Sequence, residues 1–173
     1  MIARRLIGAF STRVTAIGAR TILFAAQVLV TQIFATQAYA GACDELRLDP
    51  AEIAAMPTSG AGAGTSGVQG IRTTVVCGDP SGSEPYVIAL SVPKNTHIAA
   101  HTHRDQRTAA VVQGLWHFGY GDKAIDAATK ALKPGSIYIE PAGKAHFAYT
   151  TEEGAVVYIF GNGPTDTRYV DSK

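Results

Sequence analysis

In the stretch HTHRDQRTAAVVQG, residues 101–114, a single threonine separates two imidazoles. His101 and His103 stand at the end of a strand-like segment, where alternation points both to one face. A third imidazole, His146, opens a later segment just after PAGKA. Two histidines side by side repel when protonated and gain most from sharing a cation. Isolated histidines are more often surface or hydrogen-bonded residues. His97, which alternates with Ala99 and His101, reads as a rim residue. His117, between Trp116 and Phe118, reads as exposed or as backing the site. Arg107 follows His103 by four positions and leads an apolar run ending at Gly114. Its guanidinium has no lone pair and is no metal ligand.

From residue 71 onward the elements that would position these groups read as strands. IRTTVV, YVIALSV, HIAAH, TAAVVQG, LWHFGYG, SIYIE, HFAYT and AVVYIF are short and rich in β-branched and aromatic residues. Turn residues such as GDPSGSEP, PKN, KPG and GNGP separate them, which predicts an all-β sandwich or barrel. KAIDAATKAL is the one stretch that reads as a short helix within a connection. Tyr86, Tyr138, Phe147 and Tyr158 are expected in the barrel core. Upstream, DPAEIAAM predicts a short helix capped by Asp49 and started by Pro50. PTSGAGAGTSGVQG reads as a flexible loop or linker without chemistry of its own. No Gly-rich phosphate loop precedes a helix, and no Ser-His-Asp grouping is evident.

Residues 1–40 differ from the rest. They carry Arg4, Arg5, Arg13 and Arg20, no acidic residue, and then the apolar block TILFAAQVLVTQIFAT closed by QAYAGAC. That order predicts a signal peptide cleaved near Ala40, and so a periplasmic or secreted protein. A membrane anchor or an organelle transit peptide are the other readings; Gln27 and Gln32 weaken the block as a permanent span. The domains expected are a signal peptide over 1–40, an N-terminal extension with the Gly/Ser-rich loop over 41–70, and a barrel over 71–173. Four of the 15 basic residues lie in the leader, which leaves 11 against 14 acidic ones and a mature net charge of −3. Such a domain has no basic stripe for nucleic acid and no membrane contact once the leader is gone. Cys43 and Cys77 pair in an oxidising compartment; two free thiols, or a lipidated Cys43, are the alternatives.

HTHRDQRTAAVVQG and GSIYIEPAGKAH together resemble the two motifs of the cupin superfamily. The first matches His-x-His, three residues, a position usually Glu, six residues, Gly. The second matches Gly135, five residues, Pro141, one residue, Gly143, two residues, His146. Asn95 and Thr150 replace a glycine and an asparagine often found in these motifs. GLWHFGYGD is also similar to a group of small exported bacterial single-domain cupins. The resemblance spans residues 71–161. It implies a jelly-roll barrel, a double-stranded β-helix, whose inward histidines His101, His103 and His146 hold a divalent metal (Fe, Mn, Ni, Zn or Cu). It also implies a small-molecule ligand and allows a homodimer paired through edge strands.

Arg107 stands where the family places its metal-binding glutamate. Three outcomes follow. Three histidines suffice, leaving open positions; or Glu140 or Gln106 supplies an oxygen; or no metal binds and Arg107 grips an anion. The expected function is a metal-dependent enzyme on a small, anionic molecule, of dioxygenase, isomerase or lyase type, with Arg107 and Glu140 as the candidate catalytic residues. The alternative is a non-catalytic module that binds or senses a metal or small anion.

Overall fold

The computed structural model describes residues 43–60 and 62–170. The expected leader lies outside them. None of the described helices is long and apolar enough to cross a membrane.

The chain first forms α1 (Pro50–Ala55). Asp49 caps it, accepting from the backbone N–H groups of Ala51 and Glu52, while Glu52 reaches back to the N–H of Asp49. This reciprocal arrangement satisfies N–H groups that a helix start leaves unpaired. No residue of α1 is buried. The segment before it is fixed by a disulfide from Cys43 to Cys77.

Ten strands follow: β1 (Arg72–Cys77), β2 (Pro85–Val92), β3 (His97–Thr102), β4 (Arg107–Gly114), β5 (Trp116–Tyr120), β6 (Lys130–Leu132), β7 (Ile137–Glu140), β8 (His146–Tyr149), β9 (Ala155–Asn162) and β10 (Arg168–Tyr169). They make two antiparallel five-stranded sheets. One runs β1-β2-β9-β4-β7 and the other β10-β3-β8-β5-β6. Alternation sets the core. Tyr86, Ile88, Leu90 and Val92 of β2 meet Ala155, Val157 and Ile159 of β9, and Trp116 and Phe118 enter from the other sheet.

All eight strand-like segments are strands, and the Asp49–Pro50 helix start is in place. KAIDAATKAL departs from its reading. It holds a single 3-10 turn, Asp126–Ala128, and then β6, which pairs with β5. Three residues of edge strand carry too little pattern to be told from a helix end. Tyr158 also differs: it sits half-buried on the outer face of β9. Tyr86, Tyr138 and Phe147 are buried as expected, Phe147 packing against Gly119.

Two of the three motif glycines, Gly114 and Gly143, show why glycine stands there. Gly114 has φ +76°, and a Cβ there would lie 1.8 Å from the Gly154 carbonyl oxygen. Gly143 has φ +68°, and its N–H donates to the His103 carbonyl at 2.8 Å, tying the second motif's turn to the first. Asn95 takes φ 54°, a left-handed value asparagine tolerates well. Thr150 does the work of a polar tie: its hydroxyl donates to Pro93 O at 2.6 Å and accepts from Thr96 N–H at 3.1 Å.

Candidate metal centre

The three motif histidines converge between the sheets. His101 and His146 are cross-strand partners on β3 and β8, and His103 lies just past the end of β3. All three are buried. The ring centroids are 4.4 Å (His101–His146), 4.8 Å (His101–His103) and 5.0 Å (His103–His146) apart.

Simple alternation does not deliver this. The ladder between β3 and β8 shifts register between Ile98 and His101, so β3 carries one extra residue there. This bulge changes the facing. His97 and Ala99 point outward, whereas His101 points inward, so His97 and His101 do not share a face as the sequence suggested. His97 stacks on Tyr149 at 5.2 Å, and His117 stacks on the same ring at 4.4 Å. Neither histidine lines the central cavity.

Each site imidazole has its Nδ1 side tied to a backbone carbonyl. His101 Nδ1–H donates to Ala99 O at 2.8 Å, His146 Nδ1–H to Lys144 O at 3.0 Å, and His103 Nδ1–H to Asp166 O. The tautomer follows: every Nε2 carries its lone pair inward. Burial pushes the His101 imidazole down to about 4, with His146 beside it adding to the effect. Burial and then Arg107 push His103 down to about 3, and burial also lowers His146. All three rings are therefore neutral ligand bases at neutral pH.

The opposite sheet supplies an ion pair. Arg107 and Glu140 are directly cross-strand on β4 and β7, and each is 4% exposed. Arg107 shares the inward row of Ala109 and Val111. Its Nε donates to Glu140 Oε2 at 2.6 Å, and its Nη2 also meets that oxygen. Nη2 further donates to His103 Nε2. Burial pushes the Glu140 carboxyl up, but the Arg107 guanidinium outweighs it and holds the group below its usual value. The guanidinium is thus occupied by Glu140, not free for an anion. Gln106, the other oxygen donor considered, is exposed.

The ligand atoms of His101, His103 and His146 lie within 4.8 Å of one another. Ligands near 2.1 Å from one ion stand about 3–4 Å apart, so binding an ion requires a small inward adjustment. His146 Nε2 is buried with no hydrogen-bond partner, as expected of a donor that waits for a cation. The residues therefore fit a divalent metal at His101 and His146 directly, and at His103 once Arg107 leaves its lone pair.

The cavity over this cluster is about 20 Å³, room for about one water or a bare ion. Its walls include Trp116, Phe118 and Tyr138, together with Gly64, Thr65 and Ser66. These last three fall in the stretch read as a linker, which is a correction. Thr167 Oγ1 donates to Thr65 O at 2.9 Å, and Tyr169 OH donates to Ser66 O at 2.6 Å, so the C-terminal segment clamps this loop over the site.

The buried neutral imidazoles set a pH dependence. Their folded values of about 4 and about 3 lie below the unfolded value near 6.5, so the unfolded chain binds protons first as pH falls. Stability of the metal-free chain is full above pH ~6.5 and is lost as pH drops toward about 4. Each ring steepens the loss by up to about 1.4 kcal/mol per pH unit. Urea midpoints measured from pH 7 to pH 4 check this, and a flat profile contradicts it.

No family model and no curated protein matches the chain. Solved structures do match its fold. The polyketide cyclase RemF from Streptomyces resistomycificus superposes with a TM-score of 0.60 at 15% identity, covering 75% of this chain and 88% of that one. A sugar phosphate isomerase of the cupin superfamily from Silicibacter pomeroyi gives 0.52 at 20% identity, covering 73% and 82%. Identities this low speak for the fold alone. With two antiparallel sheets closing over an inward histidine cluster, the chain is a double-stranded β-helix of the cupin type.

Proposed function

We propose that this chain is a divalent-metal-binding cupin that works outside the cytoplasm as an enzyme on a small molecule, of isomerase, lyase or dioxygenase type. One observation carries the reading: three buried imidazoles bring their ligand atoms within 4.8 Å of one another, with each Nδ1 side held by a backbone carbonyl. A cation held by His101, His103 and His146 would supply Lewis acidity toward an oxygen of the bound molecule. The chain's own residues do the rest. The carbonyls of Ala99, Lys144 and Asp166 fix the ring tautomers. Glu140 keeps negative charge beside the cluster, 3.7 Å from His103 Nε2 and 3.8 Å from His146 Nε2. Trp116, Phe118 and Ile159 supply apolar walls that exclude water.

The pairing of Arg107 with Glu140 argues against Arg107 as the anchor of an anionic substrate. A cyclase and an isomerase share the fold, so the fold accommodates an enzyme. The small cavity favours a second reading, a non-catalytic module that holds the ion alone. Export is supported by the basic and apolar leader and by the Cys43–Cys77 disulfide, a bond that persists in oxidising compartments.

Elemental analysis and mass spectrometry of the native protein test both parts. The expected result is near one divalent metal per chain, lost in folded His101→Ala, on a polypeptide starting at Gly41 or Cys43. A metal-free protein that takes up no added cobalt(II) or zinc(II) removes the metal reading, and an intact Met1 terminus removes export.

A further inference from the structure

We propose that Arg107 is a built-in competitor for the metal, its guanidinium holding both the His103 lone pair and the Glu140 carboxylate that a bound cation would otherwise take. This rests on the metal reading above and is tested separately from it.

His103 has one lone pair to give. Its Nδ1–H is committed to Asp166 O, so only Nε2 faces the cluster, and Arg107 Nη2 donates to it. An imidazole nitrogen has a single in-plane lone pair, so that hydrogen bond and coordination exclude each other. His101 and His146 are not held by Arg107 in this way, and His146 Nε2 has no hydrogen-bond partner. A cation entering the cluster must either drive the guanidinium off His103 or settle for two imidazoles. It also meets a buried positive charge at close range, where repulsion is weakly screened.

The same guanidinium occupies Glu140. Oε2 takes both Nε and Nη2 of Arg107. Yet this carboxylate lies 3.7 Å from His103 Nε2 through Oε2 and 3.8 Å from His146 Nε2 through Oε1. Those are spacings of neighbouring donors around one ion, about 3–4 Å for ligands near 2.1 Å away. Without Arg107, Glu140 is a buried anion with no counter-charge, next to three neutral imidazoles. A divalent cation then supplies the missing counter-charge and gains an oxygen ligand. Arg107 and Glu140 are cross-strand partners, so the arginine at the usual glutamate position and the carboxylate opposite it form one exchange device.

The experiment is a cobalt(II) titration of the chelator-treated mature protein, followed by visible absorption and calorimetry. It compares wild type, Arg107→Ala, Arg107→Met and Arg107→Ala/Glu140→Gln. Both single variants should bind at least about tenfold tighter than wild type, and the double variant should lose most of that gain. Folded single variants within about threefold of wild type, or weaker, overturn the proposal. So does a double variant that keeps the full gain. Should the variants fail to fold without metal, the wild-type Arg107 Nε–H resonance gives the answer: it should move on saturation with zinc(II), and an unmoved resonance overturns the proposal. Wild type that takes up no ion while Arg107→Ala takes one up supports the competitor and removes the resident metal. Equal binding by the two removes the competitor and leaves the resident metal standing.

Discussion

Arg107→Ala lowers the unfolding free energy of the metal-free chain by about 3–5 kcal/mol. The substitution removes one member of an ion pair in which both residues are 4% exposed. Glu140 then stays ionised in a site sized for about one water, with no counter-charge, or takes up a proton at a cost. Replacing both members with apolar residues of similar volume, Arg107→Met with Glu140→Leu, strands no charge. The double variant should therefore lose less than the single one. Urea denaturation in the presence of chelator measures both. A single-variant loss below about 1 kcal/mol is what an exposed pair would give, and would show that water reaches Glu140 freely.

Cys43→Ser with Cys77→Ser costs about 3–4 kcal/mol in the loop-entropy view. The bond spans a sequence separation of 34 residues, so it removes a long loop from the unfolded ensemble. Local packing offers little replacement. Cys77 is buried at the end of β1, but α1 has no buried residue and Cys43 is exposed. The double variant should thus lose order first at residues 43–56, with faster proteolysis there, while the histidine cluster keeps its arrangement. Denaturant midpoints and limited proteolysis check this; unchanged midpoints would show that the bond constrains nothing.

Much of the barrel was legible because the long strands announce themselves. β2 and β9 are eight-residue apolar runs in which every second residue is buried, Tyr86, Ile88, Leu90 and Val92 in the one and Ala155, Val157 and Ile159 in the other. β6 and β10 were not legible: Lys-Ala-Leu and Arg-Tyr have too few residues to show a period. His101, His103 and His146 were readable as a set because two motifs fix their spacing. Arg107 pointed inward because Ala109 and Val111 continue its row. The hold on His103 was not readable, since Asp166 contributes a backbone carbonyl that any residue would offer. Nor was the closure by Thr65 and Ser66. A Gly/Ser-rich stretch has the same composition whether it hangs in solvent or packs under Thr167 and Tyr169.

The bulge in β3 bears on which changes of chain length the site tolerates. Between the pairs Ile98–Ala148 and His101–His146, β3 spends two residues, Ala99 and Ala100, where β8 spends one, Phe147. β3 therefore has a residue to spare on that side of the histidines. Removing it would leave both flanking pairs in register and would still deliver His101 to the inner face. The interval between His101 and His103 has no such slack. Thr102 is the single residue that sets their relative phase, and losing it would turn one imidazole away from the other. The strand can thus be shortened before the first histidine, but not between the first and the second.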